Sequence, residues 1–363
     1  MTDFVTSIST VGALRTWFDS TVPSTVPSGD RYIADLAAGA YDLSSVGTTW
    51  GGKTTSTADG VLIRAASGAR LTSTSRALRG QTDGVYFTLG NGNSNFNGLG
   101  SGMTIEGVQF VELGGGVSSS IGLNRCKLRN FIAHLVQVAI SDINVVLQDG
   151  VLIVDNALHA LYLAVPSFTV EGVTAINFGS GVGVRQAGQS GVVKNSAFIS
   201  VGGTATTGSG GFGAGSTNNA FSDSGTAGSS PLVITPSTEF TAIASAAAAD
   251  LRLKVGATMR AAGANGVGSG SDVYWQARPG TAPDIGAMQY AAGAPAPVLS
   301  SPTNDAPGTT SVNIKFDTDR LSDGTNYVLH RVGGSAALAA FAAQLQAKDI
   351  PADVLRKTED LLV

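Results

Sequence analysis

Apolar and polar positions alternate with period two through a series of short segments, and similar segments recur. FTVEGVTAINF begins at Phe168; MTIEGVQFVEL begins at Met103, IGLNRCKLRNF at Ile121, VVLQDGVLIVD at Val145 and GVVKNSAFISV at Gly191. Alternation of this kind belongs to strands, whose side chains point to opposite faces in turn. Aligning Glu106, Asn124, Asp149, Glu171 and Lys194 in one column gives spacings of 18, 25, 22 and 23 residues. On that alignment Val108, Cys126, Val151 and Val173 form one apolar column, and Phe110, Leu128, Ile153, Ala175 and Phe198 form the next. Glu112, Asn130, Asp155, Asn177 and Ser200 form a small polar column suited to turns, with Asn130, Asp155 and Asn177 as a side-chain ladder. Gln148 does not fit its apolar place.

A period in the low twenties predicts a solenoid, in which each unit buries its apolar face on its neighbours. A second set of strands is expected at VYFTL (Val85), LVQVAI (Leu135), ALYLAV (Ala160) and GVGVRQA (Gly181). The predicted fold class is all-β, a single-stranded parallel β-helix. Ser9 or Thr10 is placed to cap a short N-terminal helix carrying Val11, Leu14, Trp17 and Phe18. The expected organisation is a cap or anchor over 1–30, the solenoid over 31–290, a Pro/Ala/Ser linker over 291–310 and a small hairpin-plus-helix region over 311–363.

Composition agrees with many turns and few long helices. Gly accounts for 48 of 363 residues and charged residues for 13%, against a usual Gly share of about 7%. The net charge of −4 argues against a basic nucleic-acid surface as the main function. One cysteine, Cys126, cannot form an internal disulfide, and its apolar column predicts a buried thiol. No apolar run approaches the ~18 residues of a membrane span. The first residues carry no basic region followed by an apolar run, so no secretory signal is expected.

The segments YIADLAAGAY and, near the other end, Asp250-Leu251-Arg252-Leu253, Ala262-Gly263, Asp272, Arg278 and Pro283-Asp284-Ile285-Gly286-Ala287 resemble the first and last turns of the right-handed parallel β-helix superfamily. The resemblance covers about residues 10–290. It implies the right-handed form of the fold, and it leaves activity open among polysaccharide lyases, glycosidases, phage tailspikes and non-enzymatic surface proteins. TTSVNIKFDTDRLSDGTNYVLHRV reads as two strands, Ser311–Asp317 and Thr325–Arg331, and resembles the first hairpin of a fibronectin-type-III-like module of phage structural proteins. Beyond it, Ser335 can cap a helix with Leu338, Phe341 and Leu345 on one stripe; Pro351 ends it, and the chain closes on Leu361, Leu362 and Val363. The solenoid flank reads as polar, so these six apolar residues are the expected interface with another chain.

Several patterns invite chemistry. Gly47 to Thr54 matches G-x-x-x-x-G-K-[ST], but a strand rather than a helix is expected to follow, and phosphate cradling needs the helix. Gly208 to Gly213 fits G-x-G-x-x-G, again with no helix expected after it. His134 and His159 are 25 residues apart and would stack in adjacent turns. Glu106, Asp149 and Glu171 share a column, and neighbours about 4.8 Å apart fall near the carboxyl separation that glycosidases use. The motifs of β-helical pectin hydrolases and lyases are absent, and three Trp make a poor sugar platform. These readings name no catalytic, cofactor or metal residue. The expected function is a non-enzymatic structural protein of a bacteriophage virion, made in the host cytoplasm without a signal peptide. Its expected partners are other virion subunits, copies of itself (a trimer by analogy with phage spikes) and a host-surface polysaccharide. The alternative is a carbohydrate-active β-helix enzyme.

Overall fold

The computed structural model describes residues 2–46, 49–57, 59–71, 84–89, 93–99, 102–112, 119–140, 143–155, 157, 159–165, 167–187, 191–208, 211–223 and 228–290. The expected linker and hairpin, and Leu338, Phe341, Leu345, Leu361, Leu362 and Val363 as the expected interface, lie outside the described residues.

The chain is mostly strand, and its strands form parallel stacks. The first stack runs from Thr2–Ile8 through Asp30–Leu36, Val61–Ala65 and Met103–Glu106. It continues through the opening halves of Cys126–His134 and Val145–Val154 to Phe168–Glu171 and Val192–Lys194. The second runs from Gly39–Asp42 through Val85–Thr88, Gln109–Val111 and the closing halves of the same two long strands. It ends with Thr174–Asn177, Ala197–Ser200, Ala220–Phe221 and Leu232–Val233. Because those long strands pass through both stacks, the two form one 15-stranded sheet. A separate 8-stranded parallel sheet is the third stack and includes Asn93–Leu99, Ser120–Asn124, Gln137–Ile140, His159–Leu163 and Val182–Gln186. From Met103 onward the chain visits first, second and third stacks in turn and then starts again, so each passage forms a layer.

The interior is built from columns. Ala34, Ile63, Ile105, Leu128, Leu147, Val170 and Val193 lie in register in the first stack, all fully buried. Tyr41, Phe87, Phe110, Ala133, Leu152, Ala175, Phe198 and Phe221 do the same in the second. Rings meet at centroid distances of 5.6 Å for Tyr41–Phe87 and 5.4 Å for Phe87–Phe110. Each side chain of this size contributes about 1.5–3 kcal/mol on burial. Phe110, Ala175 and Phe198 share this column as the alternation predicts, whereas Leu128 belongs to the first stack and Ile153 points the other way.

The flank is not polar. On the outer face of the second stack Ile153, Ile176 and Ile199 are in register and fully buried, beside Ile132 and Val151. Residues 234–290 cover them, with Ile234, Phe240, Leu251, Met259, Ile285 and Met288 in the same apolar cluster. The second-stack strand is therefore apolar on both faces, which explains the unbroken run Val151-Leu152-Ile153-Val154.

At the start, Thr10 caps the helix Val11–Thr16, its Oγ1 accepting from the Ala13 N–H at 3.2 Å. Leu14, Trp17 and Phe18 are buried against the end of the core. The strand Thr2–Ile8 ahead of it, which the alternation did not single out, is the first member of the first stack. No helix among the described residues is long and apolar enough to cross a membrane.

Candidate functional site

Between the first and second stacks the backbone turns through a left-handed residue in six successive layers. These are Gly107, Asn130, Asp149, Gly172, Asn195 and Asn218, with φ of 72°, 49°, 53°, 63°, 49° and 53°. Gly enters this region without steric penalty, and Asn and Asp do so more readily than other residues. The corner residue follows Glu106, Arg129, Gln148, Glu171, Lys194 or Thr217, so a polar-then-small dipeptide repeats at 23, 19, 23, 23 and 23 residues. That dipeptide was the missed signal.

Residues 261–275 run along this corner column in the reverse direction, and the following residues turn back along it, with Arg278 at Asp149 and Gly286 at Asn195. The Asn218 amide donates to the Ala262 carbonyl at 2.7 Å. The Asn195 side chain accepts from Ala264 N–H at 2.7 Å and donates to its carbonyl at 2.9 Å. Asp149 accepts from Ser269 N–H at 2.6 Å and from Arg278 Nε at 2.6 Å. Asn130 donates to the Asp272 carbonyl at 2.7 Å. At the far end the Trp275 ring lies over Gly107, where a Cβ would stand 3.0 Å from Cζ2, and the Arg70 guanidinium stacks 3.8 Å from the ring centroid.

The sequence features at the C-terminal end now have physical roles. Asp272 accepts from the N–H groups of Tyr274 and Gln276, both at 2.9 Å, and from that of Gln289 at 3.0 Å. Asp284 accepts from Ala261 N–H at 2.8 Å and from Tyr290 N–H. Arg278 donates to the carbonyls of Asp284 and Gly286 as well as to Asp149. Gly286, at φ 98°, passes so close to Thr174 that a Cβ would stand 2.6 Å from Oγ1. Burial pushes the Asp149 carboxyl up from its ordinary range, against the opposing pull of Arg278 and Ser269. Burial pushes Asp272 up as well, against the N–H groups it accepts from.

The polar column of the first stack is a ladder of largely alternating charge: Asp35, Arg64, Glu106, Arg129, Gln148, Glu171, Lys194. Arg64 pairs with Asp35 at 2.6 Å, Arg129 pairs with Glu106, and Gln148 donates to Glu171 at 2.9 Å. Arg31 donates to both oxygens of Asp3 at the same end. Asp59 joins through Thr104, Lys127 and Arg129; burial raises its pKa, and these partners together bring it below the usual value.

This register corrects the sequence alignment. Asn124 lies in the third stack opposite Asn97, and Arg129 holds the place assigned to it. Asp149 is the corner, and Gln148, which looked out of place, is the ladder member. Val108, Cys126, Val151 and Val173 do not stack, since Cys126 faces Met103 and Val151 lies between Ile132 and Thr174. The expected Asn130, Asp155, Asn177 ladder does not form: Asn130 is a corner, Asp155 is exposed and Asn177 faces Val154 and Ser200. The alignment fails in two rows only: Ile121–Asn124 stands in for a first-stack strand, and Val145–Val154 is set one residue off, while Glu106, Glu171 and Lys194 share a column as expected. Val85–Thr88, expected in the second strand set with Gln137–Ile140, lies in the second stack instead.

His134 faces Ile153 in the large sheet and His159 faces Val182 in the small one, so they do not stack. Glu106, Asp149 and Glu171 are each engaged, the first by Arg129, the second by Arg278 and the third by Gln148 and the Gly268 N–H at 3.3 Å. The segment Thr49–Thr55 is a strand, and Lys53 donates to the Val22 carbonyl at 2.7 Å. Gly208 ends the strand Thr206–Gly208. Cys126 is buried, and its thiol is pushed up to about 12 by that burial. A shallow open groove of about 390 Å³ is lined by Lys127, Asn144, Ser167 and Thr169 among others, with no carboxylate in its lining. Among the described residues no group of three or more His, Cys, Asp and Glu side chains is placed to hold a metal ion.

No protein-family model matches this chain, nor does any curated protein or solved structure. Its class therefore rests on its own architecture: an all-β protein with long parallel sheets and a covered corner column.

Proposed function

We propose that this chain is a right-handed parallel β-helix and serves as a non-enzymatic structural protein of a bacteriophage virion, as a decoration, spike or fibre. The observation that carries the reading is the fate of the column carboxylates. Glu106, Asp149 and Glu171 are the groups a sugar-cleaving groove on this column would need, and each is engaged by a cation, an amide or a backbone N–H. Their geometry favours holding layers together over proton transfer, which requires a carboxyl within reach of substrate. Stacked strands braced by a ladder and a covering segment make a stiff body suited to presentation on a particle. Other virion subunits, further copies of the chain and a host-surface polysaccharide are its proposed partners, and the virion is its proposed location.

Three measurements test this. Mass spectrometry of purified particles should find the chain at a fixed stoichiometry, and deletion of 292–363 should abolish incorporation while leaving the stacked body folded. Purified protein should leave capsular and algal polysaccharides unshortened. Chain cleavage that is lost in Glu171→Gln would replace this reading with the carbohydrate-active enzyme.

A further inference from the structure

We propose that residues 261–290 act as a clasp that couples layers which do not touch each other and makes the stacked body open as one cooperative unit. In a stacked array each layer contacts only its neighbours, so end layers fray separately. Here a single segment contacts six successive layers, from Trp275 at Gly107 to Ala262 at Asn218. Among the described residues no strand pairing joins it to either large sheet, and its isolated bridge, Ser271 with Ala277, is internal. Its ties to the corner column are mainly hydrogen bonds to corner side chains, supplemented by the Gly286 N–H to the Asn195 carbonyl at 2.7 Å.

The segment is braced internally as well. The side chains of Asp272, Arg278 and Asp284 organise its turns through hydrogen bonds to its backbone. It therefore docks as a body. Up to Trp275 its direction is reversed, with the later residue Trp275 on the earlier layer and the earlier residue Ala262 on the later one; beyond Trp275 it turns back, with Arg278 at Asp149 and Gly286 at Asn195. Docking must follow formation of the corner column, because the column supplies the partners. Once docked, loss of the layer holding Asn195 breaks a tie in the same body that holds Asp149 and Asn130.

Native-state hydrogen exchange on the full chain tests the coupling. In the wild type, amides of Ile105, Leu128, Leu147, Val170 and Val193 should exchange through one opening with a shared denaturant dependence. In Arg278→Met, exchange at Val193 should accelerate at least tenfold more than at Ile105, because the later layers are freed to fray. Equal acceleration at both positions, or none, overturns the proposal, since the clasp would then add stability without creating the coupling. Should Arg278→Met fail to fold, Asn195→Gly serves instead. It keeps a residue that tolerates φ 49° and removes both side-chain bonds to Ala264, and the same gradient toward Val193 is expected.

Discussion

Arg278 Nε lies 2.6 Å from Asp149 Oδ1, and both side chains are almost wholly removed from solvent, so one buried ion pair joins positions 129 residues apart. Removing one partner of such a pair typically costs about 3–5 kcal/mol, because the other charge stays buried and unpaired. Arg278→Met should lose stability in that range by urea denaturation. Asp149→Asn combined with Arg278→Met should lose clearly less than the sum of the two single variants. Additive losses would show that the pair is not coupled.

The corner residues separate backbone from side-chain effects. Asn195 sits at φ 49° and bonds Ala264 twice. Asn195→Gly loses the bonds and keeps the backbone; Asn195→Ala loses the bonds and adds left-handed strain of about 1–2 kcal/mol. Ala should therefore be the less stable variant, by roughly 1 kcal/mol. Gly172→Ala should be worse than either, because its Cβ would stand 2.5 Å from Asp149 Oδ1.

Stability should fall on mild acidification through histidine. Burial lowers the pKa of His134, and burial followed by the Arg185 charge lowers that of His159. Both remain neutral in the fold at pH values where the unfolded chain, with a histidine value of 6.5, takes up protons. Stability is thus complete above that value and is lost as pH falls from it toward the lowered folded values. Urea midpoints measured across pH 5–8 should show this slope, and His134→Leu with His159→Gln should flatten it.

Cys126 should resist labelling. The thiol is buried and its pKa is pushed up to about 12, so almost no thiolate exists at neutral pH. A maleimide should react slowly with native protein and rapidly in denaturant. Fast native labelling would show that the Met103–Cys126 pairing opens readily.

The alternation and the recurring spacing determined the all-β class, because period two and stacking repeats follow from local side-chain geometry. They also placed Phe110, Ala175 and Phe198 together and put Ser9 or Thr10 at a helix start, of which the structure selects Thr10. Register was beyond them. Ile121–Asn124 and Cys126–Arg129 both alternate, and only the stacking of Leu128 between Ile105 and Leu147 assigns the latter to the first stack. The closing residues Asp272, Arg278 and Asp284 were visible as a pattern without a partner. Their partner is the corner column, whose members come from six layers and have positive φ. No local periodicity relates Arg278 to Asp149; the stacking order of the layers and the path of residues 261–290, down the corner column to Trp275 and then back, bring them together.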